Sequence, residues 1–182
     1  LEMKTGKAIY RRAFDFWVRI FGLSFGMGVV TGVVLSYEIG TNFGRFSEVA
    51  GPIVGPLMSY EVMTAFFLEA GFLGIMLLGR NLVAPAVHLA SCVLVAIGTL
   101  LSAFWILSAN SFMHTPAGFR IEDGVLIADS WLAAIFNPSF PYRYFHMVLA
   151  AFIATTFVVA AVGAYYCRRG RDVAFGHDNL RV

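Results

Sequence analysis

Charge is the scarcest resource in this chain. Only 13% of its residues are charged, where ordinary soluble domains carry about a quarter, and no Asp, Glu, Lys or Arg occurs from Asn81 through Phe119. That excludes a water-exposed surface over much of the protein. Cysteine is also scarce. Cys92 and Cys167 sit in separate apolar segments, which excludes a disulfide framework and a cysteine-built metal site and leaves both as packing residues. No continuous basic stripe is present and the net charge is only +2, so nucleic acid binding is excluded. Internal repeats and low-complexity tracts are absent. The opening LEMKTGKAIYRRAFDFW lacks the basic, apolar and small-residue succession of a secretory signal and reads as a loop feeding a helix, as expected of an internal fragment.

What the chain has instead is apolar length. Hydrophobic residues make up 59% of its 182 residues and the mean hydropathy is +0.76. A bilayer is crossed by about 20 apolar helical residues, and the pattern predicts four such spans, at about residues 14–39, 56–78, 85–109 and 142–167. The expected fold is all-α: a polytopic transmembrane helix bundle forming a single membrane-embedded segment, with one longer extracytoplasmic loop at about 110–141. Gly22, Gly26, Gly28 and Gly32 in the first span have the small-residue spacing that lets helices approach closely in lipid. GTNFGRFSEVAGP reads as a polar, Gly-rich turn before the second span. The long loop carries a short alternating patch suited to a hairpin or an interfacial helix, and Pro138 and Pro141 suit entry into the last helix.

Lys and Arg set the orientation, because short cytoplasmic loops are enriched in them. With four spans, Lys4, Lys7, Arg11, Arg12, Arg80, Arg168, Arg169, Arg171 and Arg181 share one side, against Arg45, Arg120 and Arg143 on the other. The first side is expected to be cytoplasmic and the long loop external.

Two carboxylates, Glu61 and Glu69, lie within the second span. An ionisable group at membrane depth is costly, and so marks a functional path or a satisfied buried pair. Their eight-residue separation corresponds to about 80° and about 12 Å on an α-helix, which suits successive stations along a path rather than one shared ligand. His88 and Ser102 are fourteen residues apart, within about 40° of one face, and either line one polar track or serve as an interfacial histidine and a serine bonded to its own helix. His146, with Arg143 one turn before it, is a structural residue or a haem ligand through a neutral imidazole. His114 and His177 are placed in loops and receive no role. Embedded carboxylates and packed glycines suit a proton-coupled transporter or channel equally well, and a non-catalytic scaffold leaves the carboxylates without purpose.

Four strings taken together, FGLSFGMGVVTGVVLSYEIGTNF, YEVMTAFFLEAGFLGIMLLG, GTLLSAFWILSANSFM and NPSFPYRYFHMVLAAF, resemble subunit I of the cytochrome bd-type quinol oxidases, the family that includes the cyanide-insensitive oxidases. The resemblance runs in order from about Tyr10 to Asp172. It implies a terminal respiratory oxidase of the bacterial cytoplasmic (inner) membrane that oxidises ubiquinol or menaquinol and reduces dioxygen to water. The cofactors implied are low-spin and high-spin haem b and a haem d or its b-type replacement; the partners implied are membrane lipid, a subunit II and a small accessory subunit.

Residue by residue, His146 matches the axial ligand of the low-spin haem b iron near the outer surface. Glu61 matches the first of the paired carboxylates, beside the high-spin haems, and Glu69 the second, assigned to proton delivery. Ser102 and His88 match polar positions on proton pathways. Phe43 stands where many members have Trp, and Ala70 where some have Ser beside the second Glu. The resemblance puts the family's other haem ligands, its GRQPW-type motif and its quinol-binding loop outside this stretch. The stretch by itself is therefore expected to complete no haem site and to have no oxidase activity.

Overall fold

The structure is a computed structural model that describes residues 7–181; Lys4, counted above toward the cytoplasmic side, lies outside the described residues. Helix α1 is Ala8–Thr41. Helix α2, Gly44–Glu61, runs through a π-helical turn at Val62–Phe66 into α3, Phe67–Leu78. A 3-10 turn at Gly79–Asn81 precedes α4, Pro85–His114. An antiparallel hairpin follows, β1 Phe119–Glu122 and β2 Val125–Ala128, pairing Phe119 with Ala128 and Glu122 with Val125. Then come α5, Trp131–Ile135, α6, Phe140–Arg168, and α7, Val173–Leu180. Four stretches among the described residues are long and apolar enough to cross a membrane: Ala8–Thr41, Gly44–Asn81, Pro85–His114 and Phe140–Arg168. The chain is therefore an all-α, multi-pass membrane protein, with both a hairpin and a short helix in its long loop.

The first part of helix α2 occupies the stretch that reads as a turn. Only Asn42 and Phe43 interrupt the helices there, although α2 contains Pro52 and Pro56. Each proline removes a backbone donor, which membrane helices tolerate when neighbours compensate. Here the compensation is burial: Ile53, Val54 and Leu57 are fully buried with Ala109, Phe112 and Ala134 in one cluster. Tertiary packing outweighs the local turn signal.

The chain divides into two compact units. Residues 24–146 form the larger. One end of it is closed by Asn137, a buried side chain that donates to the Ser108 carbonyl at 3.3 Å and the Ala134 carbonyl at 3.1 Å, and accepts from Thr115 Oγ1 at 3.1 Å. Ser108 Oγ donates to the Ile135 carbonyl at 3.0 Å. These bonds, each worth about 1 kcal/mol, tie the end of α4 to the loop that returns into α6. Arg120 pairs with Glu122 at 2.6 Å and Asp129 at 2.8 Å across the exposed hairpin.

Residues 1–23 and 147–182 form the smaller unit. In its described part Arg12 pairs with Asp172 at 2.8 Å, and Trp17 Nε1 donates to Asn179 Oδ1 at 2.8 Å. Asp172 accepts from the Phe175 amide at 3.3 Å to cap α7. The return of α7 against the end of α6 depends on small residues: a Cβ at Gly176 would lie 2.5 Å from Cys167 Sγ and 2.9 Å from the Gly163 carbonyl. His177 lies in α7 and His114 ends α4, so both are helical, not in loops. Each helix reaches further than the apolar run around these residues because capping and packing extend it.

Candidate functional site

Within the larger unit the α2–α3 rod lies antiparallel to α4. Tyr60 stacks on Trp105 at 5.2 Å near one end, and His88 Nε2 meets the Met76 carbonyl at 3.1 Å near the other. The polar side chains of the second and third spans face each other along this seam. Ser102 Oγ donates to Glu61 Oε1 at 2.7 Å, and Trp105 Nε1 donates to Thr64 Oγ1 at 2.8 Å. Glu69 is 7% exposed and lies against Gly98 of α4. Toward the 3-10 turn, Ser91 Oγ donates to the His88 carbonyl at 2.7 Å.

Two backbone features allow this. The first is the π-turn between the carboxylates, in which the Phe67 amide bonds to the Val62 carbonyl five residues back. A π-turn adds a residue without adding its rotation, so the about 80° expected of a plain α-helix falls to about 20°. Both carboxylates consequently face α4, a closer alignment than α-helical spacing gives. The second is Gly98. A Cβ there would lie 2.5 Å from Glu69 Cγ and 3.4 Å from the Glu69 amide nitrogen, so only glycine lets Glu69 settle against α4.

The glycines of α1 are different. A Cβ on Gly26, Gly28 or Gly32 meets nothing within 4 Å, so the close approach their spacing predicts is not made among the described residues.

His146 stands apart from the seam. The start of α6 is held on α4 by Arg143, which donates to Asn110 Oδ1 at 3.2 Å, and by Tyr144, whose hydroxyl donates to the Leu100 carbonyl at 3.3 Å. Two residues beyond Tyr144 the helix has turned by about 200°, and His146 is exposed. The structure thus gathers Glu61, Glu69, Ser102 and His88 on one seam and leaves His146 on another face.

A haem iron takes an axial imidazole approaching from one side of the porphyrin, and His146 fits that requirement. It is accessible, and the adjacent Phe145 is large, apolar and exposed, as a porphyrin face demands. No three His, Cys, Asp or Glu side chains converge on a bare-ion site among the described residues.

Gly98 and the π-turn escape a reading of the sequence. A glycine in an apolar helix carries no signal of its own, and VMTAF has nothing to mark it as π-helical. The indicative clue was the pair of glutamates, which required partners across the seam.

Fold and site together define a multi-pass membrane protein with an ordered carboxylate seam and an exposed helical histidine. The profile of the family described as cytochrome bd terminal oxidase subunit I matches residues 1–182, and the chain belongs to that family. It is 37% identical over 170 residues to cytochrome bd-II ubiquinol oxidase subunit 1 of Escherichia coli, covering 92% of this chain and 33% of that protein. It is 33% identical over 174 residues to cytochrome bd ubiquinol oxidase subunit 1 of Bacillus subtilis, covering 96% of this chain and 37% of the relative. The solved bd oxidase of Geobacillus thermodenitrificans superposes with a TM-score of 0.91 at 29% identity, over 98% of this chain and 41% of that one. The chain thus spans about a third of the length of the curated relatives it matches.

Proposed function

We propose that the protein carrying this chain is a quinol:oxygen oxidoreductase, a terminal oxidase of aerobic respiration in the bacterial cytoplasmic membrane. It oxidises ubiquinol or menaquinol and reduces dioxygen to water, in complex with a subunit II and a small accessory subunit. The observation that carries the reading is the seam: two carboxylates at membrane depth, one bonded to Ser102 at 2.7 Å and one buried against Gly98, in a chain of this family.

Haems of the low-spin b, high-spin b and d (or replacement b) types, when bound, supply the one-electron chemistry between quinol and oxygen. His146 would hold the low-spin haem b iron, and Glu61 would border the high-spin pair. Glu69, with His88 on its cytoplasmic side, receives protons for oxygen reduction, and Ser102 holds Glu61 in register to pass them on. The excess of Lys and Arg at the N-terminus, at Arg80 and after Cys167 supports a cytoplasmic position for those ends, so the path runs inward to outward from His88 to Glu61.

A reduced-minus-oxidised absorbance spectrum of the full-length protein tests this reading. Haem bands that respond to quinol are expected; a colourless protein that moves protons or ions would contradict it and favour a transporter.

A further inference from the structure

We propose that Trp105 is a positioning residue for proton transfer: through its hydrogen bond to Thr64 it holds the π-turn that keeps Glu61 and Glu69 facing α4, an inference that rests on the oxidase reading above. Thr64 is the middle residue of that turn, Val62–Phe66. Its hydroxyl accepts from Trp105 Nε1 at 2.8 Å and donates to the Tyr60 carbonyl at 2.7 Å, so it serves as acceptor and donor at once. The Trp105 ring also stacks on Tyr60, with centroids 5.2 Å and planes 19° apart. One indole thus grips the chain on both sides of Glu61. Ser102, three residues before Trp105 and on the same face of α4, bonds Glu61 itself at 2.7 Å.

A π-turn is rare and occurs mostly as a single turn inside an α-helix, so one at a fixed position needs contacts that favour it over plain α-helix. Two are present. The first is the Trp105–Thr64 bond, and the second is the close approach of the Ala65 carbonyl to Gly98, where a Cβ would stand 3.5 Å away. Relaxation of the turn at constant chain length would swing Glu69 by one residue's rotation, about 100° relative to Glu61, and take it off the seam. Trp105 has a single side-chain donor and spends it on Thr64. It therefore acts on the carboxylates through the turn and hands them no proton. Thr64 is exposed, so its hydroxyl is removable without opening a cavity in the core.

The test uses the full-length oxidase complex carrying Thr64→Val, which removes the acceptor, Trp105→Phe, which removes the donor and keeps a ring on Tyr60, the two together, and Thr64→Ser. Either single loss is expected to lower kcat for oxygen consumption by about tenfold and to raise the solvent deuterium isotope effect. Quinol KM, haem bands and quinol-driven haem reduction should be unchanged. The double variant should be no slower than the slower single variant, because both changes break one bond, and Thr64→Ser should restore rate and isotope effect. Turnover within about twofold of the unaltered enzyme in either single variant, losses that multiply in the double variant, or a Ser variant as impaired as the Val variant would overturn the positioning role. So would a rate that falls only in proportion to lost haem, which marks general damage to the fold. An unaltered protein with no haem bands would overturn the oxidase reading itself, and the positioning role with it. Intact haem bands with undiminished turnover in Thr64→Val would overturn the positioning role alone.

Discussion

Ser102 and Glu61 are 41 residues apart in sequence and 2.7 Å apart in space, joined by a hydrogen bond from a hydroxyl on one membrane helix to a carboxylate on the next. In apolar surroundings such a bond fixes the rotation of both helices, because no water replaces it cheaply. Ser102→Ala should cost about 1–2 kcal/mol of stability and slow oxygen consumption, whereas Ser102→Thr, which keeps the donor, should cost less on both counts. Thermal loss of the haem spectrum and steady-state oxygen uptake check this. An alanine variant as stable and as fast as the unaltered enzyme would contradict it.

Gly98 sets how close α4 comes to Glu69. Gly98→Ala places a methyl 2.5 Å from Glu69 Cγ. The expected overpacking penalty of about 1–3 kcal/mol exceeds the helix-propensity gain of about 1 kcal/mol. In a Glu69→Ala background the methyl has no Cγ to meet, so the same substitution should be neutral or stabilising. A double-mutant cycle on thermal stability reads the difference; equal costs in both backgrounds would show that the close approach carries no strain.

The π-turn explains how eight residues bring two carboxylates to one face. Deleting the exposed Met63 should let the turn relax to plain α-helix while Glu61 and Glu69 still face α4, since seven α-helical residues also end within about 20° of the start. Deleting Leu100 on α4 should instead rotate Ser102 by about 100° relative to Gly98 and abolish turnover. Haem content and oxygen uptake of the two deletions check the contrast. Equal inactivation by both would contradict it.

His146 is separated from the seam, so its removal should have a separable effect. His146→Ala should abolish the low-spin haem signal while leaving the protein in the membrane, and Ser102→Ala should leave that signal intact. Absorbance and paramagnetic resonance spectra distinguish them. A low-spin signal surviving His146→Ala would remove the ligand assignment.

The spans were legible because their physics is local. An uncharged stretch from Asn81 through Phe119 has little alternative to a membrane helix, and α4 occupies most of it. The first part of helix α2 was not legible, because Gly44, Gly51 and Pro52 signal a turn and only burial of Ala50, Ile53 and Val54 reverses it. Similarly, Glu61 and Glu69 announce themselves by charge. Gly98 acquires meaning only when the neighbouring helix is in place, and the angle between the carboxylates only when the π-turn is seen. The string PYRYFHMVLAAF makes His146 a candidate ligand; its exposure and its separation from the carboxylates follow from Tyr144 bonding to α4.

The most direct test of the account is oxygen consumption by the full-length enzyme carrying Glu69→Gln, which keeps the shape of the side chain and removes its exchangeable carboxyl proton. With haem content and quinol-driven haem reduction unchanged, the rate should fall by about a hundredfold or more. An undiminished rate would contradict the claim that this seam delivers the protons.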